Sequence, residues 1–285
     1  MKQSAGMTVG TLFVVATPIG NLGDISPRAV ETLKRVDRVA AEDTRRTGAL
    51  LSHLGIRRPM VSLHSHNESG QVEGLLARLV AGESIALVSD AGTPLISDPG
   101  FPLIRAARRA GLVVVPLPGP SAVVTALSVS GLPCERFCFE GFLPARAKAR
   151  RARMQSLAGE SRTLVFYESP HRIADFVEDA GVCLGADRPV FVARELTKLH
   201  EEGFFGTLGE AATWLAEDDN HRRGEFVVVV GGAARDSGDL VDEDRLLRAL
   251  LKVLSVKDAS RVAAEVLDRP RKQLYQRLLA LDDAK

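Results

Sequence analysis

Residues 87–100 read LVSDAGTPLISDPG. The stretch begins inside an apolar run, SIALVS at 84–89, of the kind that forms a buried strand. Two Ser-Asp pairs follow, Ser89-Asp90 and Ser97-Asp98, on either side of a Gly-Thr-Pro turn, and the loop contains no lysine. Loops that cradle phosphates combine glycine with lysine or with an exposed helix N-terminus. A loop of amides, hydroxyls and carboxylates suits a polar ligand other than a polyphosphate, including one that carries positive charge.

Outward from this stretch, strands and helices alternate. TLFVVA at 11–16 reads as a buried strand, and SPRAVETLKRV at 26–36 as a helix with Ser26 as N-cap and Pro27 at its first position. RVAAED, MVSL and LVVVPL read as further strands; TRRTGALLSHLG, NESGQVEGLLARLVAG and FPLIRAARRAG read as helices. Near-continuous apolar strands joined by helices predict a parallel sheet covered on both faces. A second α/β set follows the helix opened by PGPSA: FCFEGF, TLVFYE, PVFVARE and EFVVVV as strands, with a basic helix from Arg146 and others after Pro170 and around Trp214. The Gly-rich polar segment 231–244 reads as a linker to a small helical tail. The predicted division is an α/β domain at 11–120, a second at 121–232 and a helical module at 243–285.

Composition agrees with a folded chain of this size. The 285 residues are 45% apolar and 26% charged with a net charge of +1, so long disorder is excluded and charge distribution, not total charge, has to reveal any nucleic-acid partner. Cys134, Cys138 and Cys183 form no CxxC pair and are expected to be buried, reduced thiols of a cytoplasmic protein. The first ten residues lack the apolar core of a secretion signal and read as a flexible lead-in. Residues 111–133 carry no charge, but Pro116, Pro118, Gly119 and Pro120 interrupt them, which argues against a membrane span and for a soluble protein.

In open α/β sheets, ligands bind beyond the carboxyl ends of the strands. Here those ends carry ATPIGNLGD, EDTRRT, LHSHNE, the 87–100 loop and PGPSA. Any one such turn is explained by turn chemistry alone; five on one edge point to a site. No GxGxxG follows a strand, which disfavours a dinucleotide or ordinary Rossmann methyltransferase site, and no GxxxxGK[ST] occurs. His64 and His66 lack an HExxH or CxxC context, so a hydrogen-bonding role is expected for them and no metal.

The blocks LFVVATPIGNLGDISPRA, EDTRRT, SDAGTPLISDPG, PGPSA, FEGFLP, FYESPHR and RELTKLHEE resemble the signatures of the ribosomal RNA small subunit methyltransferase I family, within the tetrapyrrole methylase superfamily. The resemblance spans about residues 11–232 and extends to the tail. It implies two α/β domains with the ligand cleft between them, S-adenosylmethionine as methyl donor, and 2′-O-methylation of a cytidine in the decoding centre of 16S rRNA within the 30S subunit. A homodimer is implied as well. Carried onto this sequence, the donor wall comprises Ile19, Asp90, Gly92, Thr93 and Ile96, then Ser121 and Ala122, with Tyr167 and Ala193 from the second domain. For Ile19 and Ala193 ordinary core packing accounts for the residue nearly as well.

A ribose hydroxyl must lose its proton to accept a methyl group. Glu42, Asp43, Glu68 and Glu195 are candidate bases or acceptors, and the sequence does not choose among them. Arg45, Arg194 and Lys198 are candidates to contact flanking phosphates or the forming alkoxide. PARAKARRAR at 144–153 has five bases and no acid; Arg146, Lys148, Arg150 and Arg151 are candidate RNA contacts, with a solvated helix face as the plain alternative. The family is usually glycine-containing here, and ARAKA departs from it. In the tail, a helix from near Lys257, a break at DRP and a helix opened by Pro270 resemble a helix-turn-helix, with Arg269, Arg271, Lys272 and Arg277 as candidate RNA contacts. A corrinoid or porphyrin C-methyltransferase, or a non-catalytic RNA-binding protein, are the alternatives; the basic tail opposes the first and the cleft turns oppose the second.

Overall fold

The structure is a computed structural model and describes residues 10–65, 67–234, 239–267 and 269–282. The chain divides into two compact units, residues 1–232 and 233–285. In the first, β1 (Thr11–Val15), α1 (Pro27–Arg35), β2 (Arg38–Ala41), α2 (Thr44–His53), β3 (Met60–Ser62), α3 (Glu68–Val80), β4 (Ile85–Val88), α4 (Phe101–Arg109) and β5 (Val113–Leu117) build a sheet of order β3-β2-β4-β1-β5. All its pairings are parallel, so every strand delivers its carboxyl end to one edge. β4 is buried along its whole length, as its uninterrupted IALV run requires, and Leu12, Leu75 and Leu103 cover one face while Leu33, Val36 and Leu51 cover the other. Ser26 caps α1 by accepting the Ala29 amide, with Pro27 in the first turn.

α5 (Ala122–Val129) leads into β6 (Phe137–Phe142), α6 (Ala147–Ser156), β7 (Thr163–Glu168), α7 (Ile173–Leu184), β8 (Pro189–Arg194), β9 (Glu202–Thr207), α8 (Leu208–Glu217) and β10 (Phe226–Val230). Their sheet, β6-β7-β10-β8-β9, is mixed: β6 and β7 run parallel, and the other three pairings are antiparallel. β9 is absent from the sequence expectation. Its EGFFGT holds two glycines and alternates half-buried with exposed positions at the sheet edge, a weak strand signal. It doubles back on β8 as a hairpin, which inverts the run of the sheet.

The second unit packs α9 (Asp239–Leu251), α10 (Val256–Leu267) and α11 (Arg271–Asp282) around Leu247, Ala259, Ala263, Leu274 and Leu278. The linker expected at 231–244 is therefore too long, because helix begins at Asp239. Pro270 stands just before α11, its carbonyl accepting the Gln273 amide, and not at the first helical position. The expected burial of the thiols is also corrected: Cys134 is exposed, Cys138 and Cys183 are partly buried, and all three are free. No helix among the described residues is long and apolar enough to cross a membrane. The lead-in expected over the first ten residues lies, except for Gly10, outside the described residues, as does His66.

Candidate functional site

The loops at the carboxyl edge of the first sheet are stitched to one another. Thr17 and Gly92 exchange backbone hydrogen bonds of 2.9 and 3.0 Å, Thr17 Oγ1 donates to the Ser89 carbonyl, and Thr93 Oγ1 donates to the Pro120 carbonyl at 3.0 Å. Gly92 has φ +84°, and a Cβ there would press on Ile19 Cγ2 at 3.3 Å. Leu95 (φ 77°) and Ser97 (φ 72°) hold the left-handed region without being glycine, the kind of stored strain that clusters at binding loops.

Between this edge and the second sheet lies a cavity of about 390 Å³, within the range of small-molecule sites. Ile19, Asp90, Gly92, Thr93, Ile96, Ser121, Ala122 and Tyr167, all expected on the donor wall, line it, and so do Glu42 and Lys198. Ala193 does not. It is 1% exposed and sits in the hydrophobic core beside its strand partner Val227, which lines the cavity in its place. Arg46, Asp98, Phe142, Glu168 and Leu196 also line the cavity and were not singled out from the sequence. The only signal for Asp98 was the repeat of Ser-Asp within one loop. Val227 is signalled by nothing short of the sheet register that sets it opposite Tyr167.

Charge is distributed unevenly around this space. Asp90 accepts the Asp43 amide at 2.9 Å and lies 3.5 Å from Arg46 Nη1. Burial, helped by the charge of Asp90, raises the Glu42 carboxyl above its ordinary range. Burial pushes Asp98 up to about 6, with Glu42 and Asp90 adding to it. Tyr167 is pushed up to about 12, by burial first and then by Asp98. Lys198 Nζ is held by Glu195 at 2.7 Å and Glu225 at 2.8 Å. Its burial is outweighed by those two carboxylates, which keep it firmly protonated.

Several candidates are thereby reassigned. Asp43 caps α2 and chelates Arg45 through both oxygens, which holds its carboxyl far below the usual range and leaves it a poor base; neither residue lines the cavity. Glu195 is lowered despite its burial because Lys198 and the Glu225 amide bind it. Glu68 accepts the Gly100 amide at 2.6 Å and braces the loop. Arg194 is spent on the carbonyls of Arg223 and His200 and on Glu202.

Of the basic segment, Arg150 is the clearest correction. It is buried, with its guanidinium 2.6 Å from the buried carboxylate of Asp179, and cannot reach a phosphate. Arg151 shares Asp179, whereas Arg146 and Lys148 are exposed. In the tail Arg269, Arg271, Lys272 and Arg277 are all exposed; Arg277 pairs with Asp244, and Arg271 reaches Ser260 and the Lys257 carbonyl. Among the described residues no group of three or more His, Cys, Asp or Glu side chains is placed to hold a metal.

The fold and its inter-sheet cavity define a class, and comparison with known proteins gives it a name: residues 11–212 match the family of Tetrapyrrole (Corrin/Porphyrin) Methylases, and residues 237–282 match the RsmI C-terminal HTH domain. Among solved structures, uroporphyrin-III C-methyltransferase from Thermus thermophilus complexed with S-adenyl homocysteine is similar, at TM-score 0.55 and 18% identity over 78% of this chain and 97% of that one. Diphthine synthase is similar at TM-score 0.58 and 16% identity, over 78% of this chain and 90% of that one. At such identity these two speak for the fold alone. Ribosomal RNA small subunit methyltransferase I of Xylella fastidiosa strain Temecula1 is 56% identical over 94% of this chain and 98% of its own length. The protein of the same name from Escherichia coli O157:H7 is 51% identical over 96% of both. The chain belongs to the ribosomal RNA small subunit methyltransferase I family.

Proposed function

We propose that this chain transfers a methyl group from S-adenosylmethionine to the ribose 2′-hydroxyl of a cytidine in the decoding centre of 16S rRNA, with the 30S subunit as substrate. The observation that carries this is identity above 50% along nearly the whole chain with enzymes named for small-subunit rRNA methylation. The cavity fits the donor. Its two cations are already engaged by carboxylates, leaving Glu42 and Asp90 to face a sulfonium and an ammonium, while Ile19, Ile96, Ala122, Tyr167 and Val227 offer apolar surface to a purine. Gly92 keeps the backbone open at the point where a side chain would crowd Ile19.

When bound, the donor supplies an electrophilic methyl group on positively charged sulfur. The chain has to hold that methyl in line with the hydroxyl and remove the hydroxyl proton. Positioning alone is worth roughly 7–11 kcal/mol in well-oriented intramolecular reactions, which is the task of a wall stitched by Thr17, Gly92 and Thr93. Arg146, Lys148, Arg269 and Lys272, which are exposed, are the proposed RNA contacts. We extend the proposal to a cytoplasmic homodimer, on the resemblance alone; sedimentation checks the dimer.

Tritiated donor offered with small subunits from a strain lacking this activity, beside a tetrapyrrole precursor, tests the reaction. Label in 16S rRNA at a single 2′-O-methylcytidine is expected; label in the tetrapyrrole alone makes the chain a small-molecule C-methyltransferase. Truncation after Gly232 should leave donor affinity unchanged and weaken subunit binding. Each phosphate contact contributes about −0.7 to −0.9 to the log–log salt slope, so loss of a few contacts should flatten it by roughly 2–3 units. An unaltered slope makes the tail a structural module.

A further inference from the structure

The two Ser-Asp pairs of one loop end in different surroundings. Asp90 is occupied by the Asp43 amide and by Arg46. Asp98 lines the same cavity half-buried, and among the described residues no lysine or arginine pairs with it. The ionisable groups that face it are Glu42 beyond β2, Asp90 beyond β4 and Tyr167 on β7. Glu168, at the end of β7, is bound to Arg172 and the Ser169 amide, and Lys198 is bound by Glu195 and Glu225. The Ser89 hydroxyl is directed to the carbonyls of Ala91 and Gly92 within the same loop. Ser97, beside it, is fixed in the left-handed region and packs so closely on β6 that a Cβ on Gly141 would lie 3.0 Å from its hydroxyl. Asp98 is thus a half-buried carboxylate that lines the cavity without a counter-ion, on a loop with two non-glycine residues in the left-handed region.

We infer that Asp98 is the general base of the methyl transfer, and so a catalytic residue that the sequence blocks do not single out. This deepens the methyltransferase assignment and rests on it. The hydroxyl proton passes to a carboxylate oxygen of Asp98. The oxygen's freed electron pair forms the O–CH₃ bond as the S–CH₃ bond breaks, its pair remaining on sulfur as a neutral thioether. The negative charge of Asp98 and the positive charge of the sulfonium disappear together, so the step leaves the net charge of the cavity unchanged. An ordinary carboxylate near 3.9 is a weak base for this work. At about 6, Asp98 is still ionised at neutral pH and binds a proton more strongly. Burial and Asp90 raise Glu42 as well, but the Asp90 amide and Arg46 both favour its ionised form, and no arginine does so at Asp98.

The test uses the full chain, small subunits from a strain lacking the activity, and single turnover at saturating donor. Asp98→Asn should lose about 10²-fold or more in rate, the usual worth of general acid–base catalysis, with donor affinity unchanged by calorimetry. The parent should show an acid limb in its rate; the Asn variant should lack it, and Asp98→Glu should recover part of the rate with a displaced limb. Parent-like rate and limb in Asp98→Asn overturn the inference. So does weakened donor binding with an unaltered saturated rate, which makes Asp98 a donor contact. Independently of any variant, the carboxyl ¹³C signal of Asp98 in donor-free protein should titrate near 6, and a midpoint near the ordinary value of about 4 also overturns it. If the parent labels no small subunit, the substrate assignment fails instead, and the ¹³C midpoint still decides whether Asp98 has a base's proton affinity.

Discussion

The two α/β halves treat charge in opposite ways where they meet the cavity. The first sheet leaves Asp98 facing the space without a cation among the described residues, while Asp43 holds Arg45 and the single Arg46 pairs with Asp90 and also acts on Glu42. The second half neutralises its charges within itself, Lys198 with Glu195 and Glu225, Glu168 with Arg172, and, behind the sheet, Arg150 and Arg151 with Asp179. A parallel sheet gathers all its strand-end loops on one edge, so polar groups converge there before any pairing is satisfied. The mixed sheet returns through a hairpin, and its loop 195–201 closes charge on charge. One wall holds reactive groups; the other is a frame.

The frame should fail first when broken. Arg150→Ala leaves the buried Asp179 with Arg151 alone, and breaking a buried pair costs about 3–5 kcal/mol, so a loss near 3 is expected in denaturant unfolding. Arg150→Ala combined with Asp179→Ala should recover part of it. A loss below 1 kcal/mol would return Arg150 to the surface and to the phosphate role first read from its segment.

On the reactive wall, Asp90→Ala should leave the fold intact and weaken donor binding by about 1.5–3 kcal/mol, roughly tenfold or more, as measured by calorimetry. Unchanged affinity in a folded variant would remove the loop from the site.

The smallest effect has the most diagnostic sign. The Asp98 carboxyl in the folded protein lies near 6, above its unfolded value of about 3.9, so the folded state binds the proton more tightly. Stability then falls as pH rises from about 4 to 6, and the penalty persists above that. Asp98→Asn should therefore be more stable than the parent at pH 8, by on the order of 1 kcal/mol once partial solvent exposure is allowed for, and equal to it near pH 4. A variant less stable at pH 8 would place Asp98 with the paired charges of the other half.

What could be read from residues alone follows local rules. Strand–helix alternation, the caps of α1, the conjunction of five polar strand ends and a lysine-free loop are short-range patterns, and the sequence carries them except at the β8–β9 hairpin. Most of the wall from Ile19 to Tyr167 belongs to such blocks. The rest depends on partners remote in the chain. Arg150 reads as a surface base until α7 brings Asp179 against it, 29 residues on. Ala193 and Val227 are opposed in antiparallel register on one face of the sheet, and which of them reaches the cavity is decided by what packs over that face. Asp98 looks like a twin of Asp90 until the fold gives one of them an amide and an arginine and the other only burial and like charge. A side chain's type is local, but its proton affinity and its exposure are fixed by what the tertiary structure packs around it, because desolvation and Coulomb interactions act through space and not along the chain.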